Sequence, residues 1–206
     1  MKPIIFFDYD GVLVDSYDVV YKINEIYHPD STKEQFLDYY NVNVFDRLKE
    51  RIGEENVEER VSGFVEKYHT ALMGESIIPG MADVVSDLAV DNTLVVMTSS
   101  HSKCVKDHLK QHSLYSAFDK IMGADIHHSK TKKMRDACEI YGQDSGNTIM
   151  ITDTTGDIME ADAAGISSIG VSWGFHGNER LEKVSSYGIV HSPDELEKKI
   201  REYFSN

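Results

Sequence analysis

The 206-residue chain has little positive charge and no long apolar run. Lys and Arg total 21 against 35 Asp and Glu, which gives a formal net charge of −14. A surface this acidic repels phosphate backbones and anionic lipids, so nucleic-acid and membrane partners are not expected. The longest uncharged apolar stretches, such as Ile4–Phe7 and Leu94–Met97, are much shorter than the ~20 residues that cross a bilayer.

Cysteine is scarce, and several binding motifs are absent from the sequence. Cys104 and Cys138 form no CxxC pair, so we expect free thiols in a reducing compartment. The N-terminus runs directly into a strand-like segment without the apolar core of a signal peptide, which predicts a cytoplasmic protein. Neither GxGxxG nor GxxxxGK[ST] occurs, so dinucleotide and P-loop sites have no support. The 41% hydrophobic and 10% aromatic residues are enough to build a folded core.

Short apolar runs alternate with segments of helical periodicity. Bounded runs of four or five residues, rich in Ile and Val, are typical of strands buried on both faces of a parallel sheet. The runs are Pro3–Phe7, Leu94–Met97, Thr148–Ile151 and Ser168–Val171. The alternation predicts an α/β fold, a doubly wound parallel-sheet core. A last helix is expected to begin at Pro193, with Ser192 as its N-cap.

Residues 15–77 interrupt this alternation, because they contain no strand-like run. They hold amphipathic stretches, with Pro29 and Gly53 between them: Val19–Tyr27, Lys33–Tyr40, Val44–Ile52 and Val57–Leu72. Pro79-Gly80 marks the return to the core. The sequence therefore predicts a core of residues 1–14 and 78–206 with an all-helical domain, 15–77, inserted into it.

Two carboxylates follow the first predicted strand in Asp8-Tyr9-Asp10-Gly11. In an extended chain, residues i and i+2 point the same way, so both acids are expected to face one site. Ligands of open α/β sheets bind beyond the carboxyl ends of the strands. Carboxylates this close need a proton or a cation between them. Gly11 allows the chain to turn away sharply.

Three later segments place further polar groups at the predicted sheet edge. Thr98-Ser99-Ser100 ends the second run and offers hydroxyl and backbone N–H groups. Lys130 opens a predicted helix, and Asp153 and Asp157 follow the run that ends at Ile151. Each segment has an ordinary explanation as a cap, a turn or a solvated charge. Their order and their common position at strand ends favour a single site.

With these motifs the chain resembles the haloacid dehalogenase superfamily, in its phosphatase branch. The resemblance covers nearly the whole chain, and the tail Tyr187–Leu196 is similar to that of phosphoglycolate phosphatases. It implies a Rossmann-like core with residues 15–77 as a small helical cap. The family's fourth motif usually reads Gly-Asp, and here Thr152 stands at the Gly position. Lys130 is preferred to Lys132 and Lys133 as the third-motif lysine, because Ser-Lys-Thr before a helical run matches the usual context.

The resemblance also implies a role for each motif residue. Asp8 is the expected nucleophile and Asp10 the general acid and base. Mg²⁺ is the expected cofactor, held by Asp8, Asp153 and the backbone carbonyl of Asp10, with Asp157 ordering its water ligands. Thr98, the Ser99 N–H and Lys130 are expected to bind the phosphoryl group.

These roles predict an Mg²⁺-dependent phosphatase of a small phosphorylated metabolite, such as phosphoglycolate or a sugar phosphate. A phosphomutase of the β-phosphoglucomutase kind would carry the same motifs, and a receiver-like phospho-aspartate switch is the non-enzymatic alternative. A dehalogenase is disfavoured, because halide displacement needs no acid at Asp10. The sequence leaves open whether the protein is a monomer or a homodimer.

Three other features have competing interpretations. Gly170-Val171-Ser172-Trp173-Gly174 matches the nucleophile elbow of α/β-hydrolases, but no acid and histidine follow in the required order and spacing. His108 and His112 have metal-ligand spacing but lack a third ligand, so a solvated helix face is expected. Arg47 and Arg51 either contact an anionic substrate tail or pair with nearby glutamates on a solvated helix.

Overall fold

The computed structural model describes residues 2–184 and 186–205. Its centre is a parallel sheet of six strands within this described part, in the order β3-β2-β1-β4-β5-β6. The strands are Ile4–Phe7 (β1), Thr93–Met97 (β2), Lys120–Met122 (β3), Thr148–Thr152 (β4), Ser167–Val171 (β5) and Gly188–Val190 (β6). The predicted α/β parallel-sheet class is confirmed. The apolar runs became β1, β2, β4 and β5, whereas the three-residue edge strands β3 and β6 escaped prediction.

Helices connect the strands and fill the segment between β1 and β2. They are Tyr17–Tyr27 (α1), Lys33–Leu37 (α2), Val44–Ile52 (α3), Val57–Leu72 (α4), Met81–Asp91 (α5), Ser102–Gln111 (α6), Lys130–Tyr141 (α7), Thr155–Ala164 (α8), Gly177–Leu181 (α9) and Pro193–Ser205 (α10). Short 3₁₀ segments occupy Asp38–Asn41, Glu54–Asn56, Tyr115–Ala117 and Ser145–Asn147. Within the described residues, no helix combines the length and the apolar character that crossing a membrane requires.

Alternate residues of each strand pack against opposite helical layers, because strand side chains alternate between faces. On one face Phe7 lies in a cluster that includes Leu88 of α5 and Leu109 of α6. On the other face Phe6 packs with Met134 of α7 and its neighbours. Burial on both faces explains why the central strands read as continuous apolar runs.

The helical segment α1–α4, hereafter the insertion, covers the carboxyl ends of the strands. Its helices have clear local signals: Thr32 and Gln35 form a capping box at α2, and Asn43 caps α3. Gly156 allows the insertion to approach the core, because a Cβ there would lie 2.6 Å from the Val42 carbonyl oxygen. The division into domains at residues 15 and 77 stays a prediction.

Candidate active site

The candidate site lies where β1, β2 and β4 end side by side. Phe7 of β1 pairs with Val96 of β2 and with Ile151 of β4. The next residue, Asp8, donates its backbone N–H to the Ile151 carbonyl at 2.9 Å. The in-register pairing therefore brings the first, second and fourth motifs to one edge of the sheet, as parallel topology requires.

A tight turn carries the chain from Asp8 into the insertion. The Gly11 N–H donates to the Val14 carbonyl at 2.9 Å, and Gly11 adopts a φ of +73°. A Cβ at this position would also lie 2.1 Å from Oδ2 of Asp153. Glycine is thus required both by the left-handed backbone and by the close approach of the Asp153 carboxylate.

Lys130 is the lysine that reaches the site. Its Nζ lies 2.8 Å from Oδ2 of Asp8 and 2.7 Å from Oδ2 of Asp157, and its side chain is 2% exposed. Lys132 instead pairs with Asp136 on the outer face of α7. Lys133 donates to the carbonyl of Thr98 at 2.6 Å. The cation placed between the motif carboxylates is therefore Lys130.

Burial and the Lys130 ammonium act on these carboxylates in opposite directions. Burial raises the pKa of Asp8 well above its usual range, even though Lys130 opposes the shift. For Asp157, burial is outweighed by Lys130 and by hydrogen bonds, which lower the pKa to about 2. The two carboxylates in turn raise the pKa of Lys130 despite its burial. Lys130 and Asp157 are thus a fixed ion pair, and Asp8 is the under-compensated anion beside it.

Asp153 carries a buried oxygen without a partner. Its Oδ2 accepts the Phe175 N–H at 2.6 Å, whereas its Oδ1 is buried and has no hydrogen-bond partner in the described part of the chain. Burial raises the pKa of this carboxyl to about 7. A buried carboxylate oxygen with no donor is costly unless a proton or a cation occupies the position.

The donor set fits a hard cation such as Mg²⁺. Mg²⁺ prefers oxygen ligands and usually binds one or two carboxylates together with carbonyls and water. Asp8 and Asp153 supply two such carboxylates. No group of three or more His, Cys, Asp or Glu side chains in the described ranges is arranged to hold a metal. Carboxylate oxygens are ligands that Mg²⁺ prefers, whereas softer transition metals favour nitrogen or sulfur ligands.

The Asp10 carboxylate is held by three hydroxyl groups. Its Oδ1 accepts from Ser16 at 2.6 Å and from Tyr68 at 2.5 Å, and its Oδ2 accepts from Ser100 at 2.7 Å. The backbone carbonyl of Asp10 as a metal ligand stays a prediction. Local sequence patterns did not indicate Ser16 or Tyr68, and Tyr68 lies too far along the chain for any local pattern to reveal it.

Thr98 directly follows β2, and its side chain is fully buried. Its Oγ1 accepts the Ser100 N–H at 2.9 Å, so the hydroxyl closes a local turn. Ser99 and Ser100 line the cavity above Asp8, and Thr98 is not among the residues that line it. The expected phosphate contact of the Thr98 hydroxyl thus stays a prediction, and Ser99 is the motif residue that the structure brings to the cavity.

The insertion and the sheet edge line a cavity of about 310 Å³. Asp8, Ser99, Lys130, Asp153 and Asp157 all contribute to its wall, together with Asp10. Residues from four separate segments of the sequence therefore line one space.

Comparison with known proteins places this arrangement in a family. Residues 5–171 match the model of the haloacid dehalogenase-like hydrolases. The chain belongs to this family. It is 28% identical over 213 residues to a protein of Dickeya dadantii named "Probable phosphatase IndB", covering 95% of this chain and 92% of that protein. It is 27% identical over 205 residues to phosphoglycolate phosphatase of Caulobacter vibrioides, covering 91% and 86%.

Solved structures agree with this assignment. A crystal structure described as a predicted phosphatase from Clostridium acetobutylicum has a TM-score of 0.80 and 26% identity, and the match covers 98% of this chain and 99% of that one. The resemblance to the haloacid dehalogenase phosphatases, drawn from four short motifs, is confirmed, as is the enzyme class of a phosphoric monoester hydrolase.

The structure explains how this family member accommodates Thr152 in its fourth motif. The Thr152 hydroxyl donates to Oδ2 of Asp157 at 2.9 Å and accepts the Thr154 N–H at 3.2 Å. The residue is fully buried at the end of β4. Thr152 thereby adds a hydrogen bond to the same Asp157 oxygen that Lys130 contacts.

The structure does not bring Arg47 and Arg51 to the cavity. Arg47 pairs with Glu50 at 3.0 Å on an exposed face of α3. Arg51 contacts the hydroxyl of Tyr39 and lies over its ring, 5.2 Å from the centroid. The proposed substrate contact is corrected to surface pairing, because α3 turns its apolar face, which includes Phe45, toward the cavity.

The expectation of a solvated face for His108 is wrong. His108 is fully buried, its Nδ1 lies 2.5 Å from the Tyr9 hydroxyl, and its Nε2 lies 3.0 Å from the Glu75 carbonyl oxygen. Burial lowers the pKa of His108. The neutral ring links α6 to the chain beside Asp8 and Asp10, a structural role that spacing alone does not reveal.

The sequence that matches a nucleophile elbow lies away from the cavity. Ser172 Oγ is 2.8 Å from Nδ1 of His191, at the end of β5. The Ser172 N–H donates to the Val190 carbonyl at 3.0 Å. Ser172 lines none of the described cavities. Gly174, the second glycine of the pattern, lies against the candidate active site instead. A Cβ at position 174 would lie 2.2 Å from the Cβ of Asp153.

Proposed function

We propose that this protein is an Mg²⁺-dependent phosphatase that hydrolyses a small phosphorylated metabolite through an aspartyl-phosphate on Asp8. The observation that carries the proposal is the pairing of Asp8 with Lys130 at 2.8 Å in the wall of the cavity, together with Oδ1 of Asp153, which has no hydrogen-bond partner among the described residues. Phosphoryl transfer depends mainly on positioning and charge stabilisation, and this arrangement supplies both.

Asp8, Asp153 and the backbone carbonyl of Asp10 would hold Mg²⁺. When bound, the ion supplies positive charge for the phosphoryl oxygens and for the two under-compensated carboxylates. Asp157 stands behind this set, where Lys130 and Thr152 fix its orientation. The phosphoryl oxygens would be held by the Ser99 N–H, Thr98 and Lys130. These groups would allow an anionic substrate to bind to a protein whose net charge is −14.

The reaction divides into two steps. A carboxylate oxygen of Asp8 attacks phosphorus and forms a new P–O bond, while the bond to the substrate oxygen breaks. Asp10 donates its proton to that oxygen, so the alcohol leaves neutral. Water then attacks the phosphorus, Asp10 takes a proton from it, and the acyl-phosphate bond breaks to release phosphate and regenerate Asp8.

Enclosure by the insertion favours small substrates. Several contacts hold the insertion against the core: His176 Nε2 lies 2.9 Å from the Leu37 carbonyl oxygen, and Arg180 Nη1 lies 2.9 Å from Oδ1 of Asp38. A cavity of about 310 Å³ covered by the insertion would limit the access of bulk water to the phosphoryl group and has no room for a folded phosphoprotein.

Phosphate release from acetyl phosphate in the presence of Mg²⁺ tests this function. We expect turnover by the wild type, none after chelation of the metal, and none by Asp8→Asn. Asp8→Asn keeps the shape of the side chain but removes the nucleophilic charge. Release by Asp8→Asn at the wild-type rate would refute the proposal. Interconversion of isomeric sugar phosphates without net release would assign the enzyme as a phosphomutase instead.

A further inference from the structure

The cavity above Asp8 has two chemically different sides. The sheet side is highly charged, with Asp8, Lys130 and Asp153 in its wall. The insertion side is mainly apolar. It is formed mainly by aliphatic and aromatic side chains from each helix of the insertion, including Val20, Phe36, Leu48, Val61 and Phe64. The organic part of a substrate whose phosphoryl group lies at Asp8 would therefore contact a hydrophobic wall.

Rings dominate this wall and several are fixed in stacked pairs. Phe64 stacks on Tyr68 with centroids 5.6 Å apart and an interplanar angle of 16°. Phe45 stacks on His128 of the core at 3.9 Å and 3°. Aromatic rings on both the insertion side and the sheet side favour a planar group on the ligand. Offset stacking of aromatic rings is attractive beyond the free energy of burying their surface.

Charge on the insertion side is limited to one arginine among the described lining residues. The Arg60 guanidinium lies over the Tyr27 ring, 4.2 Å from its centroid, and donates to His28 Nε2 at 3.1 Å. Burial lowers the pKa of His28, which favours the neutral imidazole that accepts this bond. On the core side Asp125 adds a further negative charge to the wall. Acids outnumber cations in the lining as a whole, since Asp8, Asp10, Asp125, Asp153 and Asp157 face only Lys130 and Arg60 among the described lining residues, so a second anionic group on the substrate would add to an excess of negative charge.

A further polar group in this wall lacks a hydrogen-bond partner among the described residues. Asn24 of α1 lines the cavity, and its Nδ2 is buried without a hydrogen-bond partner in the described part of the chain. A buried amide without an acceptor is unfavourable, and a ligand oxygen or ring nitrogen near Asn24 would satisfy it.

We infer that the substrate is a phosphate monoester whose organic part is an uncharged aromatic group, bound against the wall that includes Phe64 and Phe45, with one hydrogen-bond acceptor that Asn24 recognises. The inference rests on the proposed phosphatase function and specifies its substrate class. It separates this enzyme from one built for phosphoglycolate, whose carboxylate would have to draw Arg60 away from Tyr27 and His28, and from one built for sugar phosphates, whose hydroxyls need many polar partners.

Comparison of alkyl phosphates tests the inference. Phenethyl phosphate, phosphoglycolate and a hexose phosphate are all esters of primary alcohols, so differences in leaving-group chemistry are small. We expect the wild type to hydrolyse phenethyl phosphate with kcat/KM on the order of tenfold or more above the other two. Equal values, or a preference for phosphoglycolate or the hexose phosphate, would overturn the inference.

Variants locate the preference in the insertion. Phe64→Ala and Val61→Arg should each lower the ratio of kcat/KM for phenethyl phosphate to that for acetyl phosphate, which has no ring. Ile26→Ser is the matched control, because Ile26 is also on the insertion but is 61% exposed and lines no described cavity. A ratio unchanged in both wall variants would contradict the inference. Phe64→Leu replaces Phe64→Ala if circular dichroism shows that the alanine variant is unfolded.

The two proposals fail in different ways. If acetyl phosphate is hydrolysed with dependence on Asp8 but the ring gives no advantage, only the substrate class is wrong. If no phosphate is released from acetyl phosphate or any ester, the phosphatase function itself is wrong.

Discussion

The hydroxyl of Tyr68, at the end of the insertion, donates a 2.5 Å hydrogen bond to Oδ1 of Asp10. Burial and the Asp10 charge raise the pKa of Tyr68 well above its usual range, so the phenol keeps its proton and remains a donor. The position of the insertion and the orientation of the expected acid and base are therefore linked through one side chain.

Tyr68→Phe removes that donor and keeps the ring. We expect kcat to fall about tenfold with a smaller change in KM, because Asp10 loses a charge-assisted hydrogen bond that orients it. Steady-state kinetics with acetyl phosphate and phenethyl phosphate measure both constants. Tyr115→Phe, at an exposed tyrosine outside the cavity, is the control. A change confined to KM would mean that Tyr68 only packs against the substrate.

Arg180 is expected to hold the insertion closed. It donates to Asp38 at 2.9 Å and pairs with Glu34, and its hydrogen bond lowers the pKa of Asp38. Arg180→Met should raise KM about threefold, because partly exposed ion pairs contribute only modestly. Added salt should raise the KM of the wild type and have little effect on the variant. Arg201→Met, which removes a pair within α10, should leave both unchanged.

Lys133 makes stability depend on pH. Burial, reinforced by the nearby Lys130 charge, lowers its pKa to about 7, whereas the unfolded lysine retains a value near 10.5. Between these values the unfolded state binds more protons, so stability rises with pH. From pH 7 to 9, the free energy of unfolding of the wild type should increase relative to that of Lys133→Met by roughly 1 kcal/mol per pH unit.

Chemical denaturation at several pH values measures this difference. Lys132→Met is the matched control, because Lys132 is exposed and pairs with Asp136 on the same helix. The free energy of unfolding of Lys132→Met should change with pH in the same way as that of the wild type across this range. Parallel curves for Lys133→Met would show that Lys133 stays protonated in the folded protein.

Mg²⁺ should stabilise the folded protein through Asp153. At about a hundredfold excess over its dissociation constant, a ligand that binds only the native state adds about 3 kcal/mol, or roughly 5–10 °C in melting temperature for a chain of this size. Asp153→Asn should abolish the increase, since it removes one charged ligand. An equal increase in Asp153→Asn would place the cation elsewhere.

Much of the core was predictable because local patterns and topology agree. The apolar runs predicted β1, β2, β4 and β5 directly. Parallel pairing of β1 with β4 then places Asp8 and Asp153 at the same edge of the sheet, where these strands end. The edge strands β3 and β6 have three residues each, too few to show a pattern. Partners that depend on the packing of the insertion, such as Tyr68 with Asp10, come from distant segments and have no local signal.

The role of charged residues was harder to predict than their position. Arg47 and Arg51 lie on the predicted helix, but the helix turns its apolar face inward and leaves both outside the cavity. His108 differs in the other direction, because this polar residue was expected on a solvated helix face and is buried. Its ring nitrogens lie within hydrogen-bond distance of Tyr9 and Glu75. In both cases the rotation of a helix against its neighbours decides the outcome, and spacing along one helix does not determine that rotation.

Mass spectrometry of Asp10→Asn after incubation with acetyl phosphate and Mg²⁺ tests the central claim most directly. Without the base at Asp10, phosphorylation should be slow and breakdown of the acyl-phosphate slower still, so the intermediate accumulates. We expect one added phosphoryl group on the peptide that contains Asp8, and none in the Asp8→Asn, Asp10→Asn double variant. A phosphoryl group on any other residue, or phosphate release by Asp10→Asn at the wild-type rate without an adduct, would contradict it.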